Sequence, residues 1–405
     1  MKERILAPLP RVSIQVFCES QQVASFIQEL TKDRRMMRIQ LKIHMGGIDA
    51  AVEAYRQAPT PNVIIIETAS TREHLINQLD VLAEYCDSGT KVVVIGKSND
   101  IVLYRELRAR GVSEYLVQPL QPIDFISALS DLFGETGVRN IGRILSFFGA
   151  KGGVGASTIA HNVAWTMANQ TNTQASVLDL DFGFGTAGLN FNQDPSVTLG
   201  DVLRNLDRVD SNTIDRLLVS CGDKLNLAVA PALLDRTYDF NEGDFDQLLD
   251  AVRSLVPLVV LDVPHVWSAW SRRTLVASDE LIIVAAPDLA NLRNARNIID
   301  VMRNARPNDQ APKLILNMTN VQKRPEISVE DFSRALELTP LSVIPYDAKL
   351  FGTAANNGQM ISEVDQSNKT FQQIAEALTG KAEAEKPKKS FLDPFFQKLS
   401  KSKAS

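Results

Sequence analysis

The sequence predicts an α/β protein made of two doubly wound parallel-sheet domains in tandem. Three observations predict it. Short apolar runs alternate with helix-like segments through most of the chain. Several runs, such as Val63-Ile64-Ile65-Ile66 and Lys91-Val92-Val93-Val94-Ile95-Gly96, are continuously apolar and β-branched. Strands buried on both faces read this way, as parallel sheets require. Finally, the polar, glycine-bearing stretch 134–140 has no periodicity and is followed at once by a new strand, which marks a boundary.

The first domain is placed at residues 11–135. Residues 12–17 predict a strand and 21–36 a helix. Val63–Ile66, Lys91–Gly96 and Tyr115-Leu116-Val117 supply further strands, with helices predicted at 102–110 and 123–133. Gly111-Val112-Ser113-Glu114-Tyr115-Leu116, followed by Pro119, resembles the end of a response-regulator receiver domain, a flavodoxin-like fold. In that family an aspartate ends the third strand and accepts phosphate; here Glu67 stands there. Only Glu19 stands where an acidic pair would bind Mg²⁺, Gln118 replaces the lysine before the proline, and Gly96 and Lys97 occupy the hydroxyl position. The resemblance therefore implies a degenerate receiver-like domain used for docking rather than phosphotransfer.

Composition sets the outer bounds. The 43 lysines and arginines against 48 aspartates and glutamates give a net charge of −5, which argues against a generally basic nucleic-acid binder. Cys18, Cys86 and Cys221 are far apart in sequence, a pattern that fits a reducing compartment and supports neither a disulfide framework nor a metal cluster. The start of the chain does not read as a signal peptide, and no run of 18 apolar residues occurs, so a cytoplasmic setting is expected.

The second domain is placed at residues 142–380. Arg143-Ile144-Leu145-Ser146-Phe147-Phe148 predicts a strand and 159–167 a helix. Between them lies Gly149-Ala150-Lys151-Gly152-Gly153-Val154-Gly155-Ala156-Ser157-Thr158. A glycine loop in this context lets backbone N–H groups converge on phosphate oxygens, helped by the positive end of the helix dipole. Four more strands and a short helix follow. Ser176-Val177-Leu178-Asp179-Leu180-Asp181 is a strand ending in two carboxylates. Leu258-Val259-Val260-Leu261-Asp262 is an apolar strand ending in one. Glu280–Ala285 and 313–317 complete the sheet, and Thr198-Leu199-Gly200-Asp201-Val202-Leu203 reads as a short helix.

This order resembles the MinD/ParA-type P-loop NTPases with a deviant Walker A motif. The resemblance implies ATP and Mg²⁺ as cofactors, with Gly152, Gly153, Val154, Gly155, Ala156, Ser157 and Thr158 cradling the phosphates. Ser157, Asp179 and Asp262 would hold Mg²⁺, and Asp181 would take the catalytic carboxylate position. Lys151 matches the signature lysine that reaches across a homodimer to the partner's nucleotide. Asn317 would contact the adenine, flanked by Pro345 and Asp347. One position departs from the pattern: Ala156 stands where the ordinary P-loop lysine precedes the Ser/Thr. Losing a donor to a transferring phosphoryl group costs about 2.7–4 kcal/mol by analogy with an oxyanion donor, so hydrolysis is expected to be weak or absent. Trp267 and Trp270, after the Asp262 strand, read as packing or a partner contact.

A degenerate receiver ahead of such an ATPase, with the stretch 152–162 reading Gly-Gly-Val-Gly-Ala-Ser-Thr-Ile-Ala-His-Asn, resembles the CpaE/TadZ pilus-assembly family. That implies an organiser of Tad (Flp) pili, partnered by secretion machinery and often placed at a cell pole. The alternative is a MinD/ParA-like positioning ATPase for another cargo: septum, flagellum or DNA. DNA partitioning would need a basic patch, and an iron–sulfur reductase would need paired cysteines. The tail, 381–405, carries seven lysines against three acids. Leu392, Phe395, Phe396 and Leu399 are spaced i, i+3, i+4, i+7. Contact with an anionic inner-membrane surface, docking on a partner and an unstructured tail all remain open.

Overall fold

A computed structural model describes residues 9–134, 141–204, 211–235 and 237–380; the basic tail therefore lies outside the described residues. The first sheet contains β1 (Ser13–Cys18), β2 (Gln40–Met45), β3 (Val63–Glu67), β4 (Lys91–Gly96) and β5 (Glu114–Val117). Its strands are all parallel and run in the order β2-β1-β3-β4-β5, the doubly wound flavodoxin-like order. β3 is buried along its whole length, as its β-branched run predicts. The edge strand β2 is mostly exposed and mixed in composition, so it lacks an apolar run to announce it.

The helix expected over 21–36 is interrupted. It ends at Leu30, and a separate 3₁₀ turn covers Arg34–Met36. Asp33 causes the break: its backbone is extended and its side chain accepts from the Arg35 N–H at 3.0 Å, the local competition that makes Asp a cap rather than a helix-interior residue.

The second sheet comprises β6 (Arg143–Gly149), β7 (Ala175–Asp179), β8 (Val219–Ser220), β9 (Leu225–Ala228), β10 (Leu258–Val263), β11 (Glu280–Ala285), β12 (Lys313–Thr319) and β13 (Ser342–Pro345). The order is β13-β12-β11-β6-β10-β7-β9-β8, parallel except for the β8–β9 pair. Alternate residues of β6 feed opposite faces. Ile144 and Phe148 pack into one core with Leu261 and Ile283, while Leu145 and Phe147 pack into another with Ile159 and Val163 of the helix Ala156–Asn169. Each such side chain taken from water contributes about 1.5–3 kcal/mol, and this double burial makes the central strand rigid. The predicted short helix is present at Leu199–Leu203, with a Thr198–Asp201 capping box.

The 3₁₀ turn docks the two domains. Arg34 reaches Asp279 Oδ1 at 2.9 Å and Asp309 Oδ2 at 2.6 Å, Arg35 pairs with Asp33 and Asp309, and Asn308 donates to Asp33 at 3.1 Å. Arg253 and Arg306 pair with Asp279 and Asp309 from the other side. These groups are all nearly buried. Each charge has a hydrogen-bonded partner of opposite sign, four arginines facing three aspartates, and such pairing is what lets buried ions be tolerated. Among the described residues no helix is long and apolar enough to cross a membrane.

Candidate functional site

Connections from β6 run first to β7 and β9 on one side and later to β11, β12 and β13 on the other. The loop after β6 therefore sits at a topological switch point on the carboxyl edge of the sheet, where doubly wound folds bind ligands. Asp181 just beyond β7, Asp262 in β10 and Asn317 in β12 lie at the same edge, which is how Asn317 meets Val154, 163 positions away.

The glycine loop has the backbone its sequence requires. Gly153 and Gly155 have φ of +79° and +84°, a region that favours glycine. A Cβ on Gly152 or Gly153 would meet no atom within 4 Å, whereas one on Gly155 would lie 2.7 Å from Asn317 Nδ2. The first two glycines thus face open space, and the third permits close approach of Asn317 on β12. The helix Ala156–Asn169 starts directly behind. These features fit a nucleotide polyphosphate.

The acidic residues converge behind the loop. Ser157 Oγ donates to Asp262 Oδ1 at 3.1 Å. Asp179 accepts from the N–H groups of Asp181 and Ala187, both at 3.0 Å. Burial, and then the charge of Asp262, pushes the Asp179 carboxyl up to about 7, against the opposing pull of His161 and those backbone N–H groups. Asp181 is less buried and caps the following turn by accepting from the Phe184 N–H at 3.0 Å. Ala156 packs against the apolar core beside the loop. Lys151 is exposed at the outer rim. Burial raises the Asp288 carboxyl, but hydrogen bonds from Asn291 and the charge of Lys151 outweigh it and hold that carboxyl below its ordinary range.

A cavity of about 350 Å³ opens beside the loop, lined by Gly155, Thr158, Asn317, Pro345, Asp347 and Met360 among others, a size suited to a small-molecule ligand. Asn317 Nδ2 donates to the Val154 carbonyl at 2.8 Å, tying the base side of the site to the phosphate loop. Asp347 caps the helix Ala348–Asn357 by accepting from the Leu350 N–H at 2.8 Å. Trp270 is buried against Phe245, and Trp267 is half-exposed against Phe148.

Sequence reasoning missed His161, which is fully buried beside Asp179 and Asp262. The available signal was spacing: His161 is four residues after Ser157, hence on the same helix face. It also missed Asn162, whose Nδ2 donates to the Thr158 carbonyl and whose Oδ1 accepts from the Ile361 N–H at 2.7 Å.

In the first domain, Glu67 is buried and fully engaged. It accepts from the Glu19 and Ser20 N–H groups at 2.9 and 2.8 Å, from Ser20 Oγ at 2.6 Å and from Gln118 Nε2 at 3.2 Å. Glu19 in turn accepts from the Ala69 N–H at 2.7 Å. The longer carboxylate side chain thus closes the corner of the sheet onto itself.

Comparison with known proteins agrees with this geometry. A family model of an AAA domain matches residues 142–314. The septum site-determining protein MinD of Synechocystis sp. is 28% identical over 247 residues, covering 59% of this chain and 90% of the relative. A ParA family ATPase from Chlorobium tepidum has 22% identity and a TM-score of 0.53, covering 58% of this chain and 98% of that one, a likeness of fold. The second sheet and its glycine loop therefore have the fold of the MinD/ParA-type P-loop NTPases. The pilus assembly protein CpaE from Caulobacter crescentus is 47% identical over 96% of its solved chain and 31% of this one, with a TM-score of 0.31. On that sequence identity the chain belongs to the CpaE family.

Proposed function

We propose that this protein is a dimeric, ATP-binding organiser of Tad (Flp) pilus assembly, recruiting secretion machinery to the inner membrane or a cell pole, with slow hydrolysis or none. The observation that carries the reading is Ala156 within an otherwise complete phosphate loop. The role in pilus assembly is supported by the identity to the Caulobacter protein.

When bound, Mg²⁺·ATP supplies the charge that draws two copies together. The backbone N–H groups of residues 152–158 bind the phosphates, and Ser157 and Asp262 face the cation. Asn317, Pro345 and Asp347 surround the base, and Asp181 orients water. Binding spread over many backbone donors survives the loss of one lysine, whereas catalysis relies on charge concentrated at the transferring group. Exposed Lys151 reaches the partner copy's phosphates. The receiver-like domain serves as a docking module, since Glu67 is committed to internal hydrogen bonds.

The test is equilibrium binding of a fluorescent ATP analogue with Mg²⁺ to the full chain, run beside steady-state turnover. Micromolar binding with turnover far below that of a lysine-containing relative is expected. Brisk hydrolysis dependent on Asp181, or no binding at all, refutes the organiser reading. A MinD-like role for another cargo, which the 28% identity to MinD favours, predicts unchanged pilus assembly when the gene is deleted.

A further inference from the structure

We infer that His161, Asp179 and Asp262 form a nitrogen-containing site for a divalent first-row transition ion, bound directly by protein and without nucleotide. The donor atoms of the three residues lie within 4.8 Å of one another. An ion about 2.1 Å from each donor sets donors roughly 3–4 Å apart, so a contraction of up to roughly 2 Å completes the site. All three side chains are nearly inaccessible, at 0%, 1% and 2% exposure.

Two features point to a ligand rather than to a satisfied core. First, His161 Nε2 is buried without a hydrogen-bond partner. It faces Asp262 Oδ2 at 3.2 Å, but in an orientation that makes no hydrogen bond. Buried ring nitrogens are normally paired. Second, two buried carboxylates stand side by side, and no lysine or arginine pairs with either among the described residues. The position where a P-loop lysine would bring positive charge nearby is Ala156. A dication bound by one imidazole and two carboxylates removes both defects at once.

The remaining contacts suit coordination. The other ring nitrogen, Nδ1, lies 2.8 Å from Asn190 Nδ2, the nitrogen of an amide whose two ends exchange by a flip. With its oxygen toward Nδ1, that amide accepts the ring proton and leaves the Nε2 lone pair free, the outer-shell arrangement typical of metal-bound histidine. Phe191 packs on the ring, with centroids 5.5 Å apart. Each Asp179 oxygen takes one backbone N–H and keeps a lone pair. The imidazole decides the class of ion. Mg²⁺ prefers an oxygen shell with several waters, whereas Mn²⁺, Co²⁺ and Zn²⁺ accept imidazole readily. The inference deepens the nucleotide-site reading and rests on it only for Asp262 facing the phosphates; all three proposed donors come from the protein.

The test uses the full chain, stripped by chelator and free of nucleotide. Co²⁺ is titrated in and followed by its visible ligand-field bands. The Mn²⁺-loaded protein is examined by electron spin-echo modulation for ¹⁴N coupling. One Co²⁺ per chain and an imidazole nitrogen coupling are expected. His161→Ala should abolish that coupling, and Asn190→Leu should weaken Co²⁺ binding about 10–100-fold. The coupling in the parent chain is decisive even if a variant misfolds. No ion bound before ATP is added, no ¹⁴N coupling, or coupling that persists in His161→Ala overturns the inference. Fluorescent-ATP binding measured in parallel separates the two readings. Nucleotide binding without Co²⁺ binding sinks only the metal site; Co²⁺ binding with ¹⁴N coupling but no nucleotide binding sinks only the ATP reading.

Discussion

At the scale of single residues, one methyl group shapes the chemistry. Ala156 packs into the core beside the loop and offers no charge to a transferring phosphoryl group. Ala156→Lys should raise ATP turnover, by up to on the order of 100-fold if the remaining geometry is intact; unchanged turnover would show that more than the lysine is missing. Asp179 gives a pH signature. Its folded pKa lies near 7, above the ordinary 3.8, through burial and then the charge of Asp262. A raised carboxyl pKa means the fold favours the protonated form. The stability it contributes is therefore fully present below about 3.8 and is lost as pH rises toward 7. In chelator-treated protein, Asp179→Asn should gain thermal stability over the parent progressively from pH 4 to 7, with the gain level above. A melting difference that stays flat across that range counts against this assignment.

At the scale of elements, two short segments carry more than their length suggests. The corner between β1 and β3 is closed by Glu67 on the Glu19–Ser20 backbone. A carboxylate with four internal donors is poorly placed to attack a phosphoryl donor, so acetyl phosphate with Mg²⁺ should leave the mass of residues 1–140 unchanged. A stable adduct at Glu67 would overturn the docking-module view. The 3₁₀ turn Arg34–Met36 holds the domains together through Arg34, Arg35, Asp279 and Asp309. Removing one member of a buried network leaves the others unpaired, at a cost of about 3–5 kcal/mol. Arg34→Ala should therefore lower the melting temperature of the docked form, and calorimetry should resolve two transitions. A single transition at the parent's temperature would mean the turn contributes nothing to docking.

At the scale of the whole molecule, the carboxyl edge of the second sheet carries several exposed apolar side chains. Phe184, Leu189, Leu234 and Leu289, in segments that follow strands at this edge, are 72%, 75%, 69% and 73% exposed. Lys151 is exposed on the same edge. Side chains of this size left in water fit cover by a partner, and in the proposed dimer a second copy would bring Lys151 to the neighbouring phosphates. Lys151→Ala should weaken ATP-dependent dimerisation with little change in folding. Light scattering that finds the same monomer–dimer balance in mutant and parent at every ATP concentration would remove the trans role.

Much of this protein is local and therefore legible in the sequence. Strands buried on both faces must be continuously apolar, so β3, β4, β6 and β10 announce themselves, and a glycine loop between strand and helix names its ligand class through backbone geometry alone. Ser157, Asp179, Asp262 and Asn317 are candidates by family resemblance, and the parallel sheet brings them to one edge because it delivers every strand's carboxyl end there. The edge strand β2 left no such trace, since a strand with one neighbour and only Leu41 and Ile43 partly covered by the core needs no apolar run. What only tertiary structure decided are relations between distant residues. Asp33 breaks a helix so that Arg34 can meet Asp279 and Asp309 more than 240 positions away. Glu67 turns inward to the Ser20 backbone, and His161 comes to face two aspartates from separate strands. Such meanings depend on burial: a charge or ring nitrogen withdrawn from water must find a partner, and the fold alone determines which partner is within reach.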